Sequence, residues 1–468
     1  MATPTRTELP QRPIEEACYW LARLPRREPR PLAAPAEHDV VVIGAGLTGL
    51  WTALFLKELD TARDVAVVEQ GIAAWGASGR NAGMLAETID HTHGLAIQHF
   101  GEAEARRLAA LGERNVRELT AFLRDRDVRC DFEPTGRFMA AFTEAQLAEA
   151  RRNLEIARRL GIDSHRVLSR EEMQAEVHSP LYLGGLEVRG GGILDPARLA
   201  DGLRREAERL GVRVHERTRV EALEQDGAGV RLRANGTTLR ARRAVLATSA
   251  YTHHLLPAVR RRFIPLYDYI LVSEPLTAAQ WESIGWKGRQ GITDGRTFFN
   301  YYRPTPDGRV LWGTSEAAYY RGNRVDASCD HSQRHYDALR ASWRRTFPQL
   351  AGLEWPYAWG GPICSTTRLT PFFGKALGGR AVYGLGFTGH GLGSTRVAGR
   401  ILAHLVLERT SELLSLSLVT RKPFPYPPEP IRGWAVDAVT RDLRKVDAGE
   451  EPSLMLRVLE RMGIGFSS

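Results

Sequence analysis

Two glycine-rich turns carry the residue types and spacing in this chain that most directly imply chemistry. The first, Gly44-Ala-Gly46-Leu47-Thr48-Gly49, follows the apolar, β-branched run Asp39-Val-Val-Val-Ile43 and opens a helical pattern that runs through Leu59. Glycines there let backbone amides approach a pyrophosphate at the helix N-terminus. A second apolar run, Val65-Ala-Val-Val68, ends on Glu69, twenty residues beyond Gly49. A carboxylate in that place accepts hydrogen bonds from ribose hydroxyls and disfavours a 2′-phosphate. A glycine pattern alone is a weak signal, but strand, turn, helix and acid in this order specify a dinucleotide site rather than an ordinary turn. The second turn, Tyr383-Gly-Leu-Gly-Phe-Thr-Gly-His-Gly-Leu-Gly393, again leads into an apolar-periodic helix, which runs to about Leu407.

Two further segments could face a ligand. Trp75-Gly-Ala-Ser-Gly-Arg-Asn-Ala-Gly83 directly follows the acidic strand end. Its small residues permit close backbone approach, although serine and glycine are equally routine in surface loops. The aromatic group Tyr267, Tyr269, Phe298, Phe299, Tyr301 and Tyr302, with Arg303 beside it, suits an apolar-walled cavity in which arginine clamps a carboxylate or phosphonate. Aromatic residues alternating on strands also serve plain sheet-face packing. Trp359, ahead of Gly360 and Gly361, is open to the same two readings.

The elements that must position these residues follow from the hydrophobic pattern. A βαβ unit covers the first motif, and helical spacing runs from Gly101 to about Gly161, broken by Phe132–Arg137 and the apolar run Phe138–Phe142. Between Val212 and Ala247, strand-like runs are separated by Asp226-Gly227 and Asn235-Gly236 and end in Ala244–Ser249, a strand expected to return to the first sheet. Residues 263–320 alternate aromatic and polar types around turns such as Pro306-Asp307-Gly308, the pattern of an antiparallel sheet in a second domain. Seven prolines before residue 38 rule out a continuous helix or central strand and leave an extended arm. After Pro423 a proline-rich stretch and a helical tail form an appendage folded onto the body.

Composition narrows the class. With 468 residues, 43% hydrophobic and 25% charged, the chain is an ordinary folded protein of more than one domain. Its net charge of +9 is spread over 64 basic and 55 acidic residues, without the concentrated block that nucleic acid binding requires. No run of about 18 apolar residues is present to span a bilayer, and no secretory signal pattern opens the chain. The four cysteines, Cys18, Cys130, Cys329 and Cys364, form no CxxC or zinc-like cluster, so no metal site and a reducing, cytoplasmic setting are expected.

On these motifs the chain resembles the D-amino-acid-oxidase superfamily of FAD-dependent oxidoreductases over about residues 37–410. Gly44 to Gly49, Ala77 to Asn81, Tyr267 through Pro275 and Arg303 through Gly313 are similar to gamma-glutamylputrescine oxidoreductases and aminophosphonate oxidoreductases. The Pro427–Pro430 tail resembles the aminophosphonate branch. The resemblance implies an α/β fold, a Rossmann-like FAD-binding domain interleaved with an α+β antiparallel-sheet substrate domain. The expected division is an arm over 1–36, the FAD domain over 37–90, 185–255 and 355–410, the substrate domain over 91–184 and 256–354, and an extension over 411–468.

The same resemblance places Gly386, Thr388, Gly389, His390 and Gly391 beside the isoalloxazine, with His390 open to either a flavin contact or a packing role. The implied cofactor contacts comprise Gly44, Gly46, Leu47, Thr48, Gly49, Glu69, Gln70, Ala77, Ser78, Gly79, Arg80, Asn81, Gly83, Met84, Val220, Thr248 and Leu392 as well. Arg80 and Asn81 stand where some covalent relatives place histidine, and Cys364 lies near the cysteine attachment region of sarcosine oxidases; non-covalent FAD is expected. The segment before Pro371 lacks the acid that many superfamily members carry there.

The expected reaction is hydride transfer from the α-carbon of a neutral amine to flavin N5, then hydrolysis of the imine, with Tyr267, Tyr269, Tyr302, Arg303 and His390 as pocket candidates. Such transfer requires no protein acid or base, because the cofactor carries the hard chemistry. Oxygen is the expected acceptor, a quinone or protein carrier the alternative. A flavin-containing subunit without turnover and an RNA-modifying flavoprotein are the rival readings; their marks are FAD without an accessible cavity and a basic groove. Neither the particular amine nor the oligomeric state is legible in the sequence.

Overall fold

A computed structural model describes residues 9–464, so the first eight residues of the expected arm and the last four of the C-terminal extension lie outside the described residues. Two eight-stranded sheets organise the chain. In the first, Ala36–Ile43 is central, with Val65–Val68 parallel on one side and Thr237–Leu246 parallel on the other. Ala381–Leu385 continues the sheet in parallel beyond Thr237–Leu246, and Arg213–His215 closes the opposite edge. The all-apolar Val40–Ile43 and Val65–Val68 are buried on both faces, as expected of a parallel sheet covered on each side.

Helix Leu47–Leu59 is buried along nearly its whole length. It packs beside helix Gly391–Val406. That is why its sequence shows little amphipathic contrast: a helix enclosed all round needs no polar face. The two glycine-rich turns therefore open neighbouring helices.

The second sheet runs, in spatial order, Tyr357–Ser365, Ile264–Val272, Val310–Tyr319, Asn300–Pro304, Gly291–Asp294, Arg137–Ala141, Gly184–Val188 and His165–Leu168. It is antiparallel as expected, except that Gly291–Asp294 pairs in parallel with Arg137–Ala141. Two of its strands, Gly184–Val188 and Tyr357–Ser365, fall in stretches that the boundaries at 185 and 355 assign to the FAD domain. They hydrogen-bond to Arg137–Ala141 and Ile264–Val272 instead, pairings between distant segments that no local pattern announces.

The N-terminal segment also departs from an extended arm. Short helices Ile14–Ala17 and Tyr19–Ala22 bury Cys18, Tyr19, Trp20 and Leu21. Trp20 Nε1 donates to the Asn81 carbonyl at 2.9 Å, and Arg27 pairs with Glu216. Prolines prevented one long helix, but four consecutive side chains with little polarity still found the core. Among the described residues no helix is long and apolar enough to cross a membrane.

Candidate functional site

One cavity of about 1770 Å³ runs between the two sheets. At its dinucleotide end the walls are largely backbone. Gly44 has φ +105, and a Cβ on it would lie 2.7 Å from the Ala247 carbonyl oxygen. Gly49 faces away from the cavity; its Cβ would lie 1.9 Å from the Gly44 oxygen, so it sets how closely helix meets strand. Glu69 is buried, its Oε2 accepting from Ala45 N and its Oε1 from Gly71 N, both at 2.8 Å. Burial pushes its carboxyl up while these amides pull it down, and each oxygen keeps a second lone pair for a hydroxyl. Ser78 Oγ accepts from Leu47 N at 2.8 Å, tying the Ala77–Arg80 turn to the start of the helix.

Of the sequence-derived cofactor candidates, Gly44, Gly46, Leu47, Thr48, Glu69, Gln70, Ala77, Ser78, Arg80, Asn81 and Met84 line this cavity. Val220, Thr248, Thr388, Gly389, His390, Gly391 and Leu392 line it too. Gly49, Gly79, Gly83 and Gly386 do not: they stand behind the wall at close backbone or side-chain approaches. Arg80 is held by the Trp75 carbonyl at 2.8 Å and by Asp330 at 2.8 Å, its guanidinium 4.6 Å from the centre of the Trp75 ring.

The second glycine-rich turn supplies the N-terminus of helix Gly391–Val406, whose N-cap residue His390 places no side chain over the free amides. The His390 ring instead stands 4.0 Å from that of His91. Burial brings His390 down to about 4 and His91 well below its ordinary value. Both imidazoles are therefore neutral near pH 7.

At the other end the second sheet contributes side chains, and here four pocket candidates are corrected. Tyr267, Tyr269 and Tyr302 are fully buried on the far side of the sheet. Tyr267 donates to the Asp326 carbonyl at 3.3 Å, Tyr269 to the Cys329 carbonyl at 2.9 Å, and the Tyr302 and Tyr182 hydroxyls share a 2.7 Å hydrogen bond. Arg303 lies under the N-terminal segment, donating to the Gly83 and Leu194 carbonyls at 2.9 and 2.6 Å, with Trp20 against its guanidinium. Burial brings it down to about 9. The Nε and Nη1 donors are thus held by backbone carbonyls, the former by that of Pro304 at 2.9 Å, and Arg303 does not line the cavity in which an anion would have to be clamped.

The physical reason is strand alternation. In Ile264–Val272 the even residues Ile264, Leu266, Asp268 and Ile270 face the cavity, and Tyr267 and Tyr269 point the other way. Sequence reasoning missed Asp268. Tyr301 donates to its Oδ2 at 2.6 Å, while Oδ1 has no hydrogen-bond partner among the described residues. Burial pushes the Asp268 carboxyl up to about 7, against the opposing pull of the Tyr301 hydrogen bond. Gly313, across the ladder from Tyr301, leaves room for the ring, since a Cβ there would lie 2.1 Å from it.

The C-terminal extension completes the wall. Val436, Val439, Leu443 and Met462 line the cavity, and Asp447, the last residue of helix Ile431–Asp447, accepts from Thr297 N and Phe298 N at 2.7 and 2.8 Å. Cys364 also lines the cavity, its thiol pushed up by burial.

Comparison with known proteins matches this architecture. Residues 39–405 match the family model described as DAO, FAD dependent oxidoreductase. The chain is 30% identical to gamma-glutamylputrescine oxidoreductase of Escherichia coli strain K12 over 392 residues, 83% of this chain and 88% of that one. It is 27% identical to the probable oxidoreductase OrdL of Haemophilus influenzae over 385 residues, 81% of this chain and 84% of its relative. Among solved structures, glycine oxidase from Geobacillus kaustophilus superimposes with a TM-score of 0.68 at 20% identity, covering 82% of this chain and 99% of its own. The chain belongs to the DAO family of FAD-dependent oxidoreductases. Its dinucleotide is FAD, and the glycine turn, the acid and the uncapped start of helix Gly391–Val406 fit the phosphate, hydroxyl and ring groups of such a cofactor.

Proposed function

We propose that the chain oxidises the carbon–nitrogen bond of a small primary or secondary amine or amino acid, the parallel sheet serving as its FAD-binding domain and the second sheet as its substrate domain. The observation that carries this reading is Asp268, a carboxyl pushed up to about 7 with one unpartnered oxygen, in the wall of a cavity continuous with the dinucleotide turn. As a carboxylate it pairs with a substrate ammonium and accepts its proton, leaving the neutral amine that oxidation requires. Bound FAD supplies the acceptor for a hydride from the substrate carbon.

The remaining roles fall to the chain itself. The turn at Gly44–Gly49 and Ser78 hold the pyrophosphate, and Glu69 the ribose. The uncapped start of helix Gly391–Val406, from the Gly391 amide onward, stabilises negative charge that gathers on the reduced cofactor. The aromatic and aliphatic wall from Phe298, Tyr301 and the C-terminal helix excludes water and presents the substrate carbon. Cys364, kept as a thiol, is a poor nucleophile, which supports non-covalent FAD. The imine hydrolyses in water, and oxygen is the acceptor that restores the enzyme. The related Escherichia coli protein is named for gamma-glutamylputrescine and the structural neighbour for glycine; both compounds are amines, which supports this substrate class. Four free cysteines support a cytoplasmic setting.

The test is anaerobic titration of the purified flavoprotein with polyamines, N-methyl amino acids, D-amino acids and aminophosphonates. Bleaching of the flavin bands by one class is the expected result. A flavin that no amine bleaches points instead to a subunit without turnover, a reading disfavoured by the size of the cavity.

A further inference from the structure

Away from Asp268, three segments converge on the same cavity from the other flank. Glu87 follows the short strand Met84–Leu85, His93 begins helix His93–Phe100, and His165 begins the edge strand His165–Leu168. One ligand-capable atom from each lies within 4.8 Å of the other two. Two of these residues present buried atoms with no hydrogen-bond partner among the described residues, Glu87 Oε2 and His93 Nε2. Buried polar atoms are nearly always satisfied, so two orphans in one cluster call for a missing partner.

The surroundings orient the set. Glu87 Oε1 accepts from Arg137 Nη2 at 2.9 Å, which turns Oε2 towards no other protein donor. His165 Nδ1 shares a 3.2 Å hydrogen bond with Ser164 Oγ, leaving Nε2 available. Ligand imidazoles and carboxylates are commonly held in this way by an outer ring of hydrogen bonds. His93 and His165 line the cavity while Glu87, only 3% exposed, sits behind them. Two imidazole nitrogens and one carboxylate oxygen form the three-ligand set of an open zinc-type site. Bonds of about 2.0–2.2 Å to each ligand demand only a modest closing of the three side chains.

We propose that Glu87, His93 and His165 bind a divalent transition-metal cation of the zinc class, with its open coordination position on the cavity side. A water or an anionic oxygen of a cavity ligand fills that position. The cysteine pattern did not anticipate such a site, because its ligands come from three separate segments and include no thiolate. The proposal stands independently of the substrate reading.

Full-length FAD-loaded protein, stripped with chelator and then equilibrated with zinc chloride, tests it by metal analysis and calorimetry. The expected result is one zinc per chain. Affinity should fall about tenfold or more in Glu87→Gln and in His165→Ala, as loss of a ligand should cost at least what loss of an outer-ring partner does. Specific binding should vanish in the His93→Ala/His165→Ala double variant. The flavin-to-protein ratio of each variant reports whether it has folded. Equal zinc binding by wild type and the double variant, or no binding by either, overturns the site. Should the double variant lose its flavin, zinc-edge anomalous diffraction from zinc-soaked wild-type crystals decides: a peak among the three side chains supports the proposal and its absence overturns it.

Discussion

The two ends of the cavity are made of different material. At the dinucleotide end the wall is largely backbone, its turns fixed from behind by the Ala45, Leu47 and Gly71 amides, which donate to Glu69 and Ser78. At the other end they are side chains standing on a sheet, Asp268 and Tyr301 on one flank and the C-terminal helix on another. A backbone site leaves no room for an added atom, whereas a side-chain site can be retuned one group at a time. The first end should therefore fail all at once, and the second by degrees.

The largest effect is expected at Gly49. In Gly49→Ala the new Cβ meets the Gly44 carbonyl oxygen at 1.9 Å, and backbone cannot yield as a side chain does. A loss of about 3 kcal/mol or more is expected, read as a lower Tm and a protein purified without flavin; a flavin-replete variant of normal Tm would break the contrast. At the side-chain end, Asp268→Asn should keep its flavin and lose kcat/KM by about 10²- to 10⁴-fold. In the wild type kcat/KM should rise as pH passes through about 7 and the carboxyl ionises, and the asparagine variant should lack that limb.

Smaller changes sharpen the picture. Tyr301 donates a hydrogen bond that favours ionised Asp268, so Tyr301→Phe should move the limb upward by about one pH unit, as expected for a bond to a charged group. A limb that stays in place would separate Tyr301 from Asp268. Tyr302, one residue on but across the sheet, gives the control: Tyr302→Phe loses the Tyr182 partner and should cost about 1 kcal/mol of stability. Its kcat/KM should not change, and a drop would restore Tyr302 to the pocket.

The same contrast explains what the sequence disclosed. The glycine turn and Glu69 were legible because their geometry is local: strand, turn, helix and acid sit within a single βαβ unit. The strand Ile264–Val272 was legible as a strand but not as a site. Both of its faces are apolar, with Ile264, Leu266 and Ile270 on one and Tyr267, Tyr269 and Leu271 on the other, so alternation could not say which face meets the cavity. The one polar side chain in an otherwise apolar even-numbered row, Asp268, was the available signal. The cavity wall formed by Val436, Val439 and Leu443 was out of reach, because it depends on a helix from beyond residue 430 docking on the turn at Thr297 and Phe298. The buried N-terminal cluster at Tyr19–Leu21 was visible as apolar residues, but its proline-rich flanks masked it.

The most direct test of the whole account is the rate of flavin reduction by an amine substrate under anaerobic conditions, followed against pH in wild type and in Asp268→Asn. The account predicts fast reduction in the wild type that rises through about pH 7, and slow reduction without that rise in the variant. Reduction equally fast in both, with the same pH profile, would contradict it.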